Sequence, residues 1–246
     1  MILERRAVDP FFKNGFVIGC EETREGVVID PGDEVEQLLA AARDHQLSIV
    51  SILLTHAHLD HITGVAAAKR ALGVPVWLHK DDNFLYERVV QQGQMFGLRV
   101  ESQPPVDNFY DLSTGLEAGG EGPLRFGRYA VRVLHTPGHC PGGVCLAVSR
   151  REGAERGVGV PASDRAAVRG GAPVEREAES SATLFVGDTL FAGSIGRTDL
   201  PGGDLQVLLA SIRNVLFTFP DETVVWSGHG DVTTIGKEKR TNPFLT

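Results

Sequence analysis

Residues Ser48–His61 read SIVSILLTHAHLDH. The first seven residues, Ser48 to Leu54, form an apolar run rich in β-branched side chains, which predicts a buried strand. The next seven place His56, His58, Asp60 and His61 within six positions. A strand end is rigid, and the loop after it can aim several side chains at one point. Imidazole nitrogens and a carboxylate suit borderline divalent metals such as zinc or iron. Six residues cannot wrap around one ion, so the spacing predicts two ions sharing the loop.

Reading outward, strand and helix signals alternate. Ile2–Val8, Gly15–Cys20 and Gly26–Asp30 read as short strands. Pro31-Gly32-Asp33 reads as a turn, with Asp33 as the cap of a helix running to about His45. Val65–Leu72 reads as a helix closed by Gly73, and Val74–Leu78 as a strand. Asp81–Gln92 reads as helical. Arg125–His135 contains an alternating strand with Tyr129, Val131 and Val133 on one face, Val144–Ser149 and Thr183–Val186 read as strands, Asp204–Phe217 as a helix and Thr223–Trp226 as a last buried strand.

Three further strand ends carry potential ligands. His139 follows in the rigid turn Thr136-Pro137-Gly138-His139. Asp188 follows in Gly187-Asp188-Thr189. His229 follows in Ser227-Gly228-His229-Gly230. Each alone is a weak signal. Together they repeat one arrangement four times, a buried strand followed by a ligand in a tight loop.

Composition narrows the class. The chain has 246 residues, 42% hydrophobic and 23% charged, which excludes global disorder. A net charge of -8 argues against a dedicated nucleic-acid binder. Three cysteines imply no disulfide framework. The N-terminus MILERRAVDP lacks the apolar core of a signal peptide, and no apolar run approaches the ~18 residues of a membrane span. A soluble cytoplasmic protein, monomer or homodimer, is expected. Arg150–Ser181 stands apart, with no aromatic, Leu, Ile or Met, and with six Arg against six acidic residues. It cannot bury enough apolar area to offset its chain entropy, so it reads as a flexible surface insertion. Deleting it is expected to leave fold and metal binding intact.

The motifs THAHLDH, TPGH, GDTLF and SGHG, in this order, resemble the metallo-β-lactamase superfamily. Within it, GDTLFAGSIGRTDLPGGD and GHGDVTTIGKEKRTNPFL look like the glyoxalase II (hydroxyacylglutathione hydrolase) branch. LHKDDNFLYERVVQQGQMFG is similar to its short, single-domain bacterial members. The resemblance covers nearly the whole chain apart from Arg150–Ser181. It implies an α/β fold, a four-layer αββα sandwich of two mixed sheets with helices outside, and residues 1–246 as one hydrolase domain. It also implies a ligand set: His56, His58 and His139 on one metal, Asp60, His61 and His229 on the other, with Asp188 and a water or hydroxide bridging them. Two divalent ions follow, zinc first, with iron or manganese also compatible. Asp60 and Asp188 then carry the catalysis. The implied reaction is hydrolysis of a small-molecule thioester, S-D-lactoylglutathione or a related hydroxyacylglutathione, by attack of the bridging hydroxide. The alternative is a glutathione persulfide dioxygenase with a single iron. Its branch shares the GRTD element and an Asn-Pro near the C-terminus, here Asn242-Pro243.

Other residues read less sharply. Arg197 could bind a substrate carboxylate bidentately or form a loop salt bridge with Asp199. The larger two-domain enzymes of the branch have Lys and two aromatics there. Lys237, with Lys239 and Arg240, could replace the missing glutathione contacts or be a solvated helix face. His135 and His79 read as support or packing around the site, and His45 as a solvated helix end. Cys140 reads as a small buried residue rather than a ligand, and Cys20 and Cys145 as core.

Overall fold

Alternation of side chains along the strands sets the layering. The structure, a computed structural model, describes residues 1–110, 124–151 and 182–246. The first sheet has the order β1 (Ile2–Arg6), β2 (Gly15–Gly19), β3 (Glu25–Ile29), β4 (Ser48–Leu53), β5 (Val76–Leu78), β6 (Asn108–Phe109). Its first two pairings are antiparallel and the rest parallel. Between these strands lie α1 (Val35–Asp44), α2 (Leu59–Ile62), α3 (Val65–Leu72), α4 (Asn83–Tyr86) and α5 (Val89–Met95).

The second sheet begins with β7 (Arg125–Phe126), β8 (Tyr129–His135), β9 (Val144–Arg150) and β10 (Thr183–Phe185). A small hairpin, β11 (Leu190–Phe191) and β12 (Ser194–Ile195), follows, then α6 (Leu205–Asn214), β13 (Val224–Trp226), β14 (Thr233–Thr234) and α7 (Ile235–Thr241). The sheet order is β14-β13-β10-β9-β8-β7, with only β10 and β13 parallel.

In β2 and β3, Phe16, Ile18, Val27 and Ile29 point to the second sheet and pack on Phe126, Val131, Leu146 and Phe185. The alternate residues Val17 and Val28 face outward onto Leu38 of α1 and Val65 of α3. In the second sheet, Cys145, Ala147 and Leu184 face outward onto Leu208 and Ile212 of α6. Period-two alternation on both sheets therefore builds four layers, helix, sheet, sheet, helix. Phe16 and Phe185 meet edge-to-face across the sandwich at 5.0 Å, an arrangement worth about 0.5–1.5 kcal/mol beyond its buried area.

One helix cap expected from the sequence needs correction. Asp33 does not cap α1: it accepts from Thr63 Oγ1, and Glu34 is the residue before the helix. Asp81–Gln92 is helical, as read, but in pieces: a 3-10 turn over Lys80–Asp82 runs into α4, and α5 restarts at Val89. Arg125–His135 contains the alternating strand β8, as read, preceded by a tight turn at Gly127 (φ 52°). The α3 stop at Gly73, in a left-handed conformation (φ 68°), is as read. Of the Arg150–Ser181 insertion, Arg150 ends β9 and Arg151 follows it, and residues 152–181 lie outside the described residues. Among the described residues, no helix is long and apolar enough to cross a membrane.

Candidate metal centre

The four ligand-bearing loops open at one end of the sandwich. β9 runs antiparallel to both β8 and β10, and β13 runs parallel to β10, so β8, β10 and β13 point the same way. Their loops deliver His139, Asp188 and His229. β4 of the other sheet delivers His56, His58, Asp60 and His61. The Val144 amide donates to Thr55 O at 2.9 Å and pins the two sheets together at this end.

Among the described residues four groups of ligand atoms lie close together: His56/His58/His139, Asp60/His61/His229, Asp30/His56/His61 and His79/Asp81/His135. The first two are the triplets that the resemblance implied. Asp188 lies between them. Its Oδ1 is 3.3 Å from His61 Nε2, and its Oδ2 is 3.7 Å from His139 Nε2 and 3.5 Å from His229 Nε2. Asp60 Oδ2 lies 3.0 Å from His229 Nε2 and 3.7 Å from His61 Nε2. His58 Nδ1 and His139 Nε2 face each other at 2.7 Å, a separation at which two lone pairs repel unless a proton or cation lies between them. Glycine is required at 228, where a Cβ would stand 2.2 Å from Asp188 Oδ1.

Hydrogen bonds behind the rings fix which nitrogen faces inward. Thr55 Oγ1 donates to Asp30 Oδ2 at 2.6 Å, so it can only accept from His56 Nδ1–H at 3.1 Å. The Asp30 carboxylate is acceptor-only and takes His61 Nδ1–H at 3.0 Å. His139 Nδ1–H donates to the Arg197 carbonyl at 2.7 Å. Each ring thus presents Nε2 to the centre, the support pattern usual behind metal-bound histidine. His56 Nε2, His61 Nε2 and Asp188 Oδ1 are buried without any hydrogen-bond partner. Buried polar atoms are otherwise almost always paired, so these unpaired atoms fit a site for cations.

The electrostatics agree. Burial and the neighbouring rings push the His58 pKa down to about 3, and His56 is also held well below the ordinary imidazole value. Burial works against the His61 imidazolium too, but Asp60 and Asp188, with Asp30 behind the ring, outweigh it and raise its pKa to about 10. Burial opposes the Asp188 carboxylate, yet His61, His139 and His56 hold its pKa well below the usual range. The set is one of imidazoles and ionised carboxylates, suited to divalent ions once the His61 proton has left.

Two carboxylates not singled out in the sequence organise this centre. Asp30, at φ 48°, serves both His56 and His61 as described. Asp82 is fully buried and accepts from Ala57 N at 3.1 Å, Gly142 N at 2.6 Å and Cys140 Sγ at 3.1 Å. It ties the first histidine loop to the loop of His139. The helix-cap residue Asp204 and α6 hold that loop from outside, through Asp204 N to Gly138 O and Ser211 Oγ to Pro137 O, both at 2.7 Å.

Arg197 sends its guanidinium to Asp199 as a bidentate pair at 2.6 and 2.7 Å, while its carbonyl serves His139. Lys237 is exposed in the first turn of α7, and Lys239 and Arg240 pair with Asp221. His135 stacks on His79 at 4.4 Å, outside the two triplets, with its Nε2 donating to Pro141 O. His45 is not merely solvated, because its ring bonds Glu4 at 2.6 Å. All three cysteines are buried, as read.

A four-layer αββα sandwich with these loops at one end defines the metallo-β-lactamase fold. The sequence profile of the metallo-β-lactamase superfamily matches residues 8–151 and 170–229, and the chain belongs to that superfamily. It is 35% identical to the hydroxyacylglutathione hydrolase GloC of Haemophilus influenzae, with 100% of this chain and 98% of that protein aligned. Among solved structures it resembles BLEG-1, described as a B3 metallo-β-lactamase, at TM-score 0.77 and 34% identity over 100% of both chains. It also resembles TTHA1623 in a di-iron-bound form, at TM-score 0.71 and 37% identity over 98% of this chain and 100% of the other.

Proposed function

We propose that this protein is a binuclear metallo-hydrolase that cleaves a thioester, a hydroxyacylglutathione such as S-D-lactoylglutathione. The observation that carries the reading is Asp188, whose two oxygens face His61 on one side and His139 and His229 on the other. A carboxylate so placed suits two ions rather than one. The similarity to GloC supports the substrate class.

Two divalent ions in this centre, zinc in first place and iron or manganese otherwise, would make hydroxide available from water near neutral pH and polarise the substrate carbonyl. His56, His58 and His139 would hold one ion, Asp60, His61 and His229 the other. Asp60 is 16% exposed, so its carboxylate reaches the open side and can orient a water and take its proton. In the reaction the acyl C–S bond breaks, a C–O bond forms, and the products are a hydroxy acid and the free thiol. No protein nucleophile is needed. The Cys140 thiol beside His139 is held protonated by burial and Asp82, well above its ordinary pKa. The substrate is a small molecule, and the protein acts in the cytoplasm without nucleic acid or membrane as partner.

The test is metal analysis of the purified protein together with turnover of a panel of glutathione thioesters, a glutathione persulfide and a β-lactam. Two ions per chain with thioester hydrolysis support the proposal. One iron per chain with oxygen consumption on the persulfide would assign the dioxygenase reaction instead.

A further inference from the structure

Lys13 and Glu34 form an ion pair sealed inside the protein, each 2% exposed. Lys13 Nζ meets Glu34 Oε1 at 2.5 Å and also donates to the backbone carbonyl of Asp30. The same Glu34 oxygen accepts from Gly32 N at 2.9 Å. Fully buried Lys and Glu are rare, because taking two charges from water is costly even when they pair. Hydrophobic residues would fill this space at least as well, so the contacts the pair makes are the place to look for its use.

Those contacts converge on one of the two ligand triplets. Lys13 Nζ holds the carbonyl of Asp30, the residue whose side chain orients His61. Glu34 holds Gly32, and the Gly32 backbone lies against Asp60: a Cβ on Gly32 would stand 2.0 Å from Asp60 O, 2.9 Å from Lys13 Cε and 3.1 Å from Glu34 Oε2. The Lys13 backbone forms an isolated antiparallel bridge with His229, and the amide of the next residue, Asn14, donates to the Gly228 carbonyl at 2.6 Å. Asp60, His61 and His229 are thus each held through this pair or its backbone. The triplet His56/His58/His139 is supported by Asp82 beneath its loops, by the Arg197 carbonyl and by Thr55, which the Asp30 carboxylate holds, so the pair reaches this triplet only at one remove, through Asp30.

We infer that the Lys13–Glu34 pair is a positioning device directed at the second metal ion, setting the Asp60/His61/His229 group and touching the first group only through Asp30. The inference rests on the binuclear reading above. It assigns both residues a positioning role, since neither reaches substrate or metal.

The test is titration of the stripped protein with cobalt(II), followed by calorimetry and by the visible ligand-field bands. The wild type is expected to take two ions. If it takes one, the binuclear reading fails and the inference falls with it. In the double variant Lys13→Met/Glu34→Leu both buried charges go together, which avoids leaving one unpaired. It is expected to bind the second ion at least about tenfold more weakly, the usual cost of losing support behind a ligand, and the first with a clearly smaller loss. Equal weakening of both ions, or two ions bound as in the wild type, would overturn the inference. Should the double variant not fold, Glu34→Gln, which keeps the shape and removes the charge, is read by the same titration and the same criteria.

Discussion

His61 Nδ1 lies 3.0 Å from Asp30 Oδ2, and Nε2 of the same ring faces Asp188 Oδ1 at 3.3 Å. One imidazole is therefore gripped between two carboxylates, one behind it and one within the centre. Asp30→Asn exchanges an acceptor for a group that can also donate, and so permits the wrong tautomer at His61. Asparagine tolerates the left-handed backbone at this position, so the fold should persist. Metal affinity is expected to fall about 10–100-fold, as measured by competition with a chromophoric chelator. An unchanged affinity would remove Asp30 from the centre.

Asp188→Asn keeps shape and removes the charge shared between the two triplets. Turnover of the thioester should drop at least about 100-fold, a larger loss than that of a supporting residue. Circular dichroism should be unchanged. Near-normal kcat with two bound ions would show that Asp188 does not bridge.

Metal uptake should release a proton from His61. Its pKa in the cation-free protein is raised from 6.5 to about 10 by the surrounding carboxylates. The raised value means that the imidazolium stabilises the cation-free fold fully below about pH 6.5, and that this contribution is lost as pH rises through 10. A metal must displace this proton, so affinity rises with pH across the neutral range. Calorimetric titration with zinc at pH 7.5 in two buffers of different ionisation enthalpy reads the release directly. Identical heats in both buffers would contradict it.

Asp82→Ala strands the amides of Ala57 and Gly142 in a buried site. Unfolding in urea is expected to show a loss of about 2–4 kcal/mol, from lost hydrogen bonds and unsatisfied donors together. A loss below about 0.5 kcal/mol, the level of an ordinary surface substitution, would show that Asp82 does not tie the two loops together.

The seven proposed ligands were legible in the chain because each sits within a few residues of the end of a buried strand, in a short loop or, for Asp60 and His61, the short helix α2, where identity and spacing are local properties. The four layers were implied by the motifs, and the alternation of Phe16, Val17 and Ile18 is written into β2 itself. The supports were not legible. Asp30, Asp82, Lys13 and Glu34 are ordinary polar residues in the sequence, and nothing in their neighbours separates them from solvated ones. Nor was the inward turn of Asp82, within the helical stretch Asp81–Gln92, to a loop 60 residues away legible. Local patterns report which groups can bind a metal. Which polar groups are buried together, and hence which ring nitrogen faces the centre, depends on contacts between distant segments, because desolvation and hydrogen-bond pairing exist only once the two sheets have packed.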